Sequence, residues 1–302
     1  YGLVGSEMCI RDSTPSKTKV QVTKKWDDAN NQDGIRPASI TVRLYKDGAP
    51  TDQTLELSEA NQWHGTFENL DVNAAGEAIH YTVKEENVPE GYTLSIDDKD
   101  PAHLILTNKH EPTVTQVKVT KKWDDANNQD GLRPKEIRVQ LYAGDQKLGK
   151  EVVLSADNKW THTFEKLAEK ANGQAIHYSV KEVDVPEGYT VTEESKEKGD
   201  VVLTNTHTPS TVDIPVTKIW VDNDNQDGLR PAKITVKLLA NGGEVARKDI
   251  TSETDWKETF TGLPKFKDGK EIVYTLQEEK VENYSPSIDQ ERYTITNTHT
   301  PG

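Results

Sequence analysis

The sequence predicts an all-β chain of three tandem β-sandwich domains, each of about seven strands, and three observations lead there. The first is internal repetition. KKWDDANNQDGIRP at Lys24–Pro37 returns as KKWDDANNQDGLRP at Lys121–Pro134 and as KIWVDNDNQDGLRP at Lys218–Pro231, with successive starts 97 residues apart. Each copy closes on a similar phrase, LTNKHEP (Leu106–Pro112), LTNTHTP (Leu203–Pro209) and ITNTHTP (Ile295–Pro301). A unit of that length can hold its own core, so the pattern reads as an array of domains rather than a solenoid of interdependent turns. The second observation is period-two alternation of apolar residues, the mark of half-buried strands. The third is turn chemistry at strand-length intervals. The expected boundaries are 1–15 for a leader, then domains at 16–111, 112–208 and 209–302.

In the first unit the strands are expected near Lys19–Trp26, Ser39–Tyr45, Gln53–Leu57, Gln62–Phe67, Ile79–Glu85, Tyr92–Ile96 and His103–Asn108. Asp33-Gly34, Asp47-Gly48, Ala75-Gly76 and the Pro-Glu-Gly of Pro89–Gly91 mark the turns between them. Helical periodicity is absent apart from short turns such as Leu167–Ala171. The joints at Glu111–Thr115 and Thr208–Val212 are short and rich in Thr and Pro, which predicts semi-rigid spacing. Residues 1–13, YGLVGSEMCIRDS, hold the only Cys and the only Met and match nothing that follows, so they are read as non-native or unstructured leader.

Composition narrows the function. A net charge of −14 argues against nucleic acid, whose phosphates would be repelled. One cysteine, Cys9, excludes an internal disulfide framework. No apolar run is long enough to span a bilayer. LPKFK at Leu263–Lys267 comes closest to a wall-sorting motif but lacks its Thr-Gly, so a signal peptide and a wall anchor are expected outside this chain.

The strand VTKKW sets a puzzle. Val20, Val22, Lys24 and Trp26 share one face, so if the valines face a core, Lys24 does too. Lys25 faces outward and becomes Ile219 in the third copy, so only the inward lysine recurs. The same parity test puts Glu85 with Ile79, Tyr81 and Val83, and Asn108 with Leu104 and Leu106. It selects Lys121, Glu182 and Asn205 in the second unit and Lys218, Glu278 and Asn297 in the third. One reading is a buried Lys–Glu ion pair with an asparagine hydrogen-bonded beside it, which is costly. The other is an amide bond between Lys Nζ and Asn Cγ. Burial disfavours both charged forms, so the pair can exist as neutral amine and neutral acid. The amine is then a nucleophile, and the acid can polarise the asparagine carbonyl and pass a proton to departing ammonia.

The segments VTKxW, NQDGxRP, YTVKEE (Tyr81–Glu86) and LTN together resemble the Cna protein B-type domain of surface adhesins and pilins of Gram-positive bacteria, three times over from about residue 16 to residue 300. That resemblance implies an immunoglobulin-like sandwich with a self-forming Lys–Asn isopeptide bond. It implies Lys24, Lys121 and Lys218 as amine donors, Asn108, Asn205 and Asn297 as acceptors, and Glu85, Glu182 and Glu278 as the catalytic acids, the residues that parity selects independently. It further implies stalk or spacer repeats of a secreted, wall-attached adhesin, whose partners are the rest of the same protein, a binding head and an anchor. The alternatives are direct binding of host matrix or glycan, or a segment of a pilus shaft. No cofactor and no turnover catalysis are expected; self-cross-linking is single-turnover. The third unit departs from the pattern: 19 residues separate acid from acceptor, against 23 in the others, and ENYS at Glu282–Ser285 replaces PEGY. A shifted last strand there would leave the bond unmade.

The remaining features have plainer readings. DDANNQDG misses the EF-hand pattern because Asp33, not glycine, holds its sixth position from Asp28, so a polar turn with Arg36 paired to nearby acids is expected rather than calcium. Asp222, Asp224 and Asp227 come no closer. His80 and His177 fall on the outer face, while His110, His207 and His299 follow each acceptor asparagine by two places; none has zinc-site spacing, and no metal is expected. Trp63, Trp160 and Trp256 read as core or rim packing.

Overall fold

The computed structural model describes residues 16–196 and 199–302, and the leader expected over 1–15 lies outside them. In the first repeat nine strands follow in order: β1 (Lys17–Asp27), β2 (Ser39–Lys46), β3 (Ala49–Ser58), β4 (His64–Asp71), β5 (Asn73–Ala74), β6 (Glu77–Ala78), β7 (Tyr81–Glu85), β8 (Thr93–Asp97) and β9 (His103–Lys109). They form a four-stranded sheet, β4-β1-β9-β8, a three-stranded sheet, β3-β2-β7, and the small hairpin β5-β6. Val20, Val22, Phe67, Leu70, Leu104 and Leu106 from the first sheet pack with Ile40, Val42, Leu44, Leu57 and Val83 from the second. They alternate along their strands with more exposed residues, except where Thr23 joins the buried side of β1 and where a register shift against β1 sets Phe67 and Leu70 three residues apart on β4. Each fully buried leucine contributes about 1.5–3 kcal/mol, so this two-layer core is what makes the repeat a folding unit.

The first and last strands are neighbours and run parallel. Lys24 lies opposite Leu106, and Trp26 opposite Asn108. The second repeat repeats the register, with Lys121 opposite Leu203 and Trp123 opposite Asn205. The third keeps it too: Lys218 is opposite Ile295 and Trp220 opposite Asn297. The shortened stretch before Asn297 therefore does not shift the last strand. Pairing there begins only at Thr217 with Thr294, whereas in the first repeat it begins at Gln21 with His103. Pro215 stands at the position of Gln21, whose N–H bonds the Ala102 carbonyl. Proline lacks that donor, so it fits where the partner strand has been cut back. Gln290 closes the shortened connection by pairing its side-chain amide with both the N–H and the carbonyl of Leu276.

Several expectations need correction. β3 starts at Ala49 rather than Gln53, because Asp47-Gly48 makes a two-residue turn with both φ angles positive (47° and 82°) and pairing starts at once with Lys46 opposite Ala49. Gln62 and Trp63 lie before β4 in left-handed conformations, and Ile79 and His80 lie before β7. Leu167–Ala171 holds no helical turn; the strand Thr161–Ala168 and the two-residue strand Lys170–Ala171 cover it. Short 3-10 turns fall instead at positions that include Glu59–Asn61, Ala156–Asn158 and Ser252–Thr254. Backbone proximity divides the chain into two compact units. The described part of one is 16–116 with Phe164–His177, and the other is Val117–Thr163 with Tyr178–Gly302.

Candidate functional site

Lys24 sits mid-way along β1, its backbone N–H held by the Trp63 carbonyl at 2.8 Å. Its side chain is fully buried, as is that of Glu85 from the end of β7, and the two meet at 2.8 Å between Nζ and Oε2. The other carboxylate oxygen, Oε1, accepts the Asn108 Nδ2–H at 2.9 Å, and Asn108 is 0% exposed. One glutamate thus joins a lysine and an asparagine from three different strands, the trio that alternation selects.

The second and third repeats assemble the same trio. Lys121 Nζ lies 3.2 Å from Glu182 Oε2, without the alignment of a hydrogen bond, while Asn205 donates to Oε1 at 2.9 Å. In the third, Lys218 Nζ and Asn297 Nδ2 both approach Glu278 Oε1, at 3.0 and 3.2 Å. All six lysine and glutamate side chains are at most 3% exposed.

Burial lowers the Lys24 ammonium below the usual lysine range even though Glu85 pulls the other way. The same balance brings Lys121 and Lys218 down to about 8. A lysine so shifted yields its neutral, nucleophilic form far more readily than a solvated one. The Asn108, Asn205 and Asn297 Oδ1 atoms are buried and accept no hydrogen bond. An ionised glutamate cannot serve them, but a protonated one can donate to such an oxygen after the amide turns over.

Aromatic rings seal the site. The Lys24 ammonium lies 4.8 Å from the Trp26 ring centroid, and the corresponding distances are 4.5 Å for Lys121 over Trp123 and 4.4 Å for Lys218 over Trp220. Trp26 packs edge-on against Trp63 at 5.2 Å and Tyr92 at 5.1 Å. Trp63, like Trp160 and Trp256, serves as packing at the rim of the site. The Tyr92 hydroxyl donates to Asp28 Oδ2 at 2.8 Å, and Arg36 clasps both oxygens of Asp28 at 2.6 and 3.0 Å. Burial alone would raise the Asp28 carboxyl, but hydrogen bonds from Arg36, the Asn31 N–H and Tyr92 outweigh it and hold it at about 2. Asp125 with Arg133 and Tyr189, and Asp222 with Arg230 and Tyr284, repeat the clasp. The acidic loop is thus organised around an arginine. No group of three or more His, Cys, Asp or Glu suited to a metal occurs among the described residues.

Sequence reasoning missed two partnerships. Tyr92 reaches Asp28 across 64 residues, and His110 Nε2 meets Asp33 Oδ2 at 2.9 Å across 77. His207 with Asp130 and His299 with Asp227 repeat the second. Their joint recurrence in all three copies was the available signal.

The model of the Cna protein B-type domain matches residues 20–109, 117–206 and 214–298. A collagen adhesin of Staphylococcus aureus is 37% identical over 96% of this chain, which spans 32% of that protein's length. The crystal structure of two B repeat units of the collagen-binding protein of Staphylococcus aureus is 43% identical and covers 95% of this chain and 74% of its own, with a TM-score of 0.60. The chain belongs to the Cna protein B-type domain family, in three tandem copies.

Proposed function

We propose that each repeat cross-links itself and that the three together form a stalk segment of a wall-attached bacterial surface adhesin. In the first repeat, Lys24 passes a proton to Glu85, and the neutral amine attacks Cγ of Asn108. Glu85 then donates to the developing oxyanion and relays a proton to Nδ2. The new Nζ–Cγ bond forms as the Cγ–Nδ2 bond breaks, ammonia leaves, and Glu85 ends protonated. Fixed proximity and exclusion of water supply much of the acceleration. Lys121, Glu182 and Asn205 carry out the same steps, as do Lys218, Glu278 and Asn297. The reaction occurs once per repeat and is self-modification, not turnover.

The observation that supports this reading is the glutamate bridging a buried lysine and a buried asparagine in every repeat. A bond between adjacent parallel first and last strands would carry tension directly from one to the other, leaving the rest of the sandwich unloaded. For an extracellular chain whose lone cysteine falls in the leader, that is a staple independent of redox conditions. Similarity to the B repeats of a collagen adhesin supports the cell-surface placement. The test is the intact mass of the denatured protein. Each bond expels ammonia, so three bonds lower the mass by about 51 Da, and Glu85→Ala, Glu182→Ala and Glu278→Ala each restore about 17 Da. A full, uncorrected mass refutes the cross-link.

A further inference from the structure

The NQDG loops of the first and second repeats each receive a turn from the repeat that follows. In the first compact unit, the Gln32 carbonyl accepts the Gly173 N–H at 3.0 Å, placing the Asn172-Gly173 turn of the second repeat on the Asp33-Gly34 corner of the first. The backbones touch so closely that a Cβ on Gly34 would stand 2.5 Å from the Gly173 Cα. The second unit repeats the contact: Gly269 N–H bonds the Gln129 carbonyl at 3.0 Å, and a Cβ on Gly131 would stand 2.5 Å from the Gly269 Cα. Beneath each contact the loop aspartate grips the connecting segment. Asp33 Oδ2 accepts the Thr113 N–H at 2.9 Å, and Asp130 Oδ2 accepts that of Ser210 at 2.8 Å.

The third repeat builds the same loop. The Gly228 N–H bonds the Asn225 carbonyl at 2.9 Å, as Gly34 does with Asn31, and Asp227 Oδ2 accepts the Gly302 N–H at 3.3 Å. Yet among the described residues nothing lies within 4 Å of where a Cβ on Gly228 would stand. Gly76, the first-repeat counterpart of Gly173 and Gly269, is equally open. The three turns share their shape: Ala75-Gly76, Asn172-Gly173 and Asp268-Gly269 all have positive φ at both residues, which leaves the glycine N–H pointing outward.

We propose that the Gln226–Gly228 loop is the open half of a head-to-tail joint and takes the glycine turn of another Cna B-type repeat joined in series. The two filled joints define the occupant: a left-handed turn whose second residue has no side chain and whose N–H reaches the glutamine carbonyl. A turn bearing a Cβ there would crowd the loop glycine: a Cβ on Gly173 would stand 3.2 Å from the Gly34 Cα, and one on Gly269 3.0 Å from the Gly131 Cα. The joint does not depend on the cross-link.

Amide hydrogen exchange followed by NMR reads the joint directly. In the intact chain, the Gly173 and Gly269 amides should exchange about tenfold more slowly than that of Gly76, as hydrogen-bonded against free turns. Appending a second copy of residues 211–302 after Gly302 reproduces the spacing at the existing joints, and its hairpin glycine should become as protected as Gly269. Gly228→Asn keeps the left-handed conformation accessible but adds a Cβ; in the extended chain it should return the appended glycine to the rate of Gly76. Protected core amides in the appended repeat would show that it is folded. With those present, an appended glycine exchanging as fast as Gly76 overturns the proposal. Protection of Gly76 that grows with the concentration of the unextended chain would assign the loop to a second molecule and overturn the in-series joint.

Discussion

Replacing the whole buried trio of the first repeat by apolar residues, Lys24→Met with Glu85→Leu and Asn108→Leu, separates a covalent site from an ionic one by the sign of its effect. Lys24 and Asn108 stand 84 residues apart. A cross-link closing a loop of that length removes unfolded-state entropy worth about 4.5 kcal/mol by the chain-entropy relation. Its loss should lower the melting temperature of a domain this size by about 20–35 °C. If the trio were held by charge alone, replacing the pair with packed hydrophobes would be neutral or stabilising by about 1–4 kcal/mol. The single change Glu85→Ala cannot make this distinction, because orphaning a buried lysine costs about 3–5 kcal/mol even without a bond. Calorimetry of the full chain is the assay. One of its transitions should move down while those of the unaltered repeats stay in place. A first-repeat transition that stays put or rises refutes the cross-link and the tension-bearing role built on it.

Two further outcomes follow from the loop that flanks the site. Asp28 is held at about 2 against an ordinary 3.8, so its contribution is fully present above 3.8 and is lost as pH falls through 2. Asp28→Asn should cost the first repeat about 2 kcal/mol at pH 6 and little at pH 1, which urea unfolding at the two pH values checks. His110 is raised above 6.5 by its bond to Asp33, helped by the Gly91 carbonyl and opposed by burial. Its contribution is complete below 6.5 and is lost as pH rises through the folded value. Asp33 is lowered, chiefly by His110, so its share is lost as pH falls below the carboxylate range. The pair therefore stabilises most between about pH 4 and pH 6.5. NMR titration should place the His110 midpoint above 6.5, and His110→Gln should flatten the stability of the first repeat between pH 6 and pH 8; a midpoint at or below 6.5 contradicts the pairing.

Much of the candidate site was legible because alternation is local. A residue's face on a strand follows from its neighbours two places away, so Lys24, Glu85 and Asn108 could each be assigned inward before any strand was paired. Arg36 as partner of a nearby acid was legible for a similar reason, since Asp28 lies eight residues away. His110 was not: it falls just past the end of β9, where parity loses its meaning, and its partner is in a loop 77 residues earlier. The start of β3 was missed because Ala49–Asp52 shows no alternation and follows β2 only through the geometry of its turn.

By itself the sequence determined the repeat, the all-β class, the turns and the inward set of polar residues, because each rests on interactions within a few residues. Tertiary structure decided which inward residues meet. The parallel pairing of β1 with β9 puts Lys24 and Asn108 on adjacent strands, and β7 brings Glu85 across from the other sheet. It also decided that the third repeat keeps its register despite a shorter connection, since the buried faces of Ile295 and Asn297 allow only one alignment and a one-residue slip would turn both outward. Only folding could show that the glycine turns at 173 and 269 have partners, because backbone contact between distant turns leaves no periodic trace in a sequence.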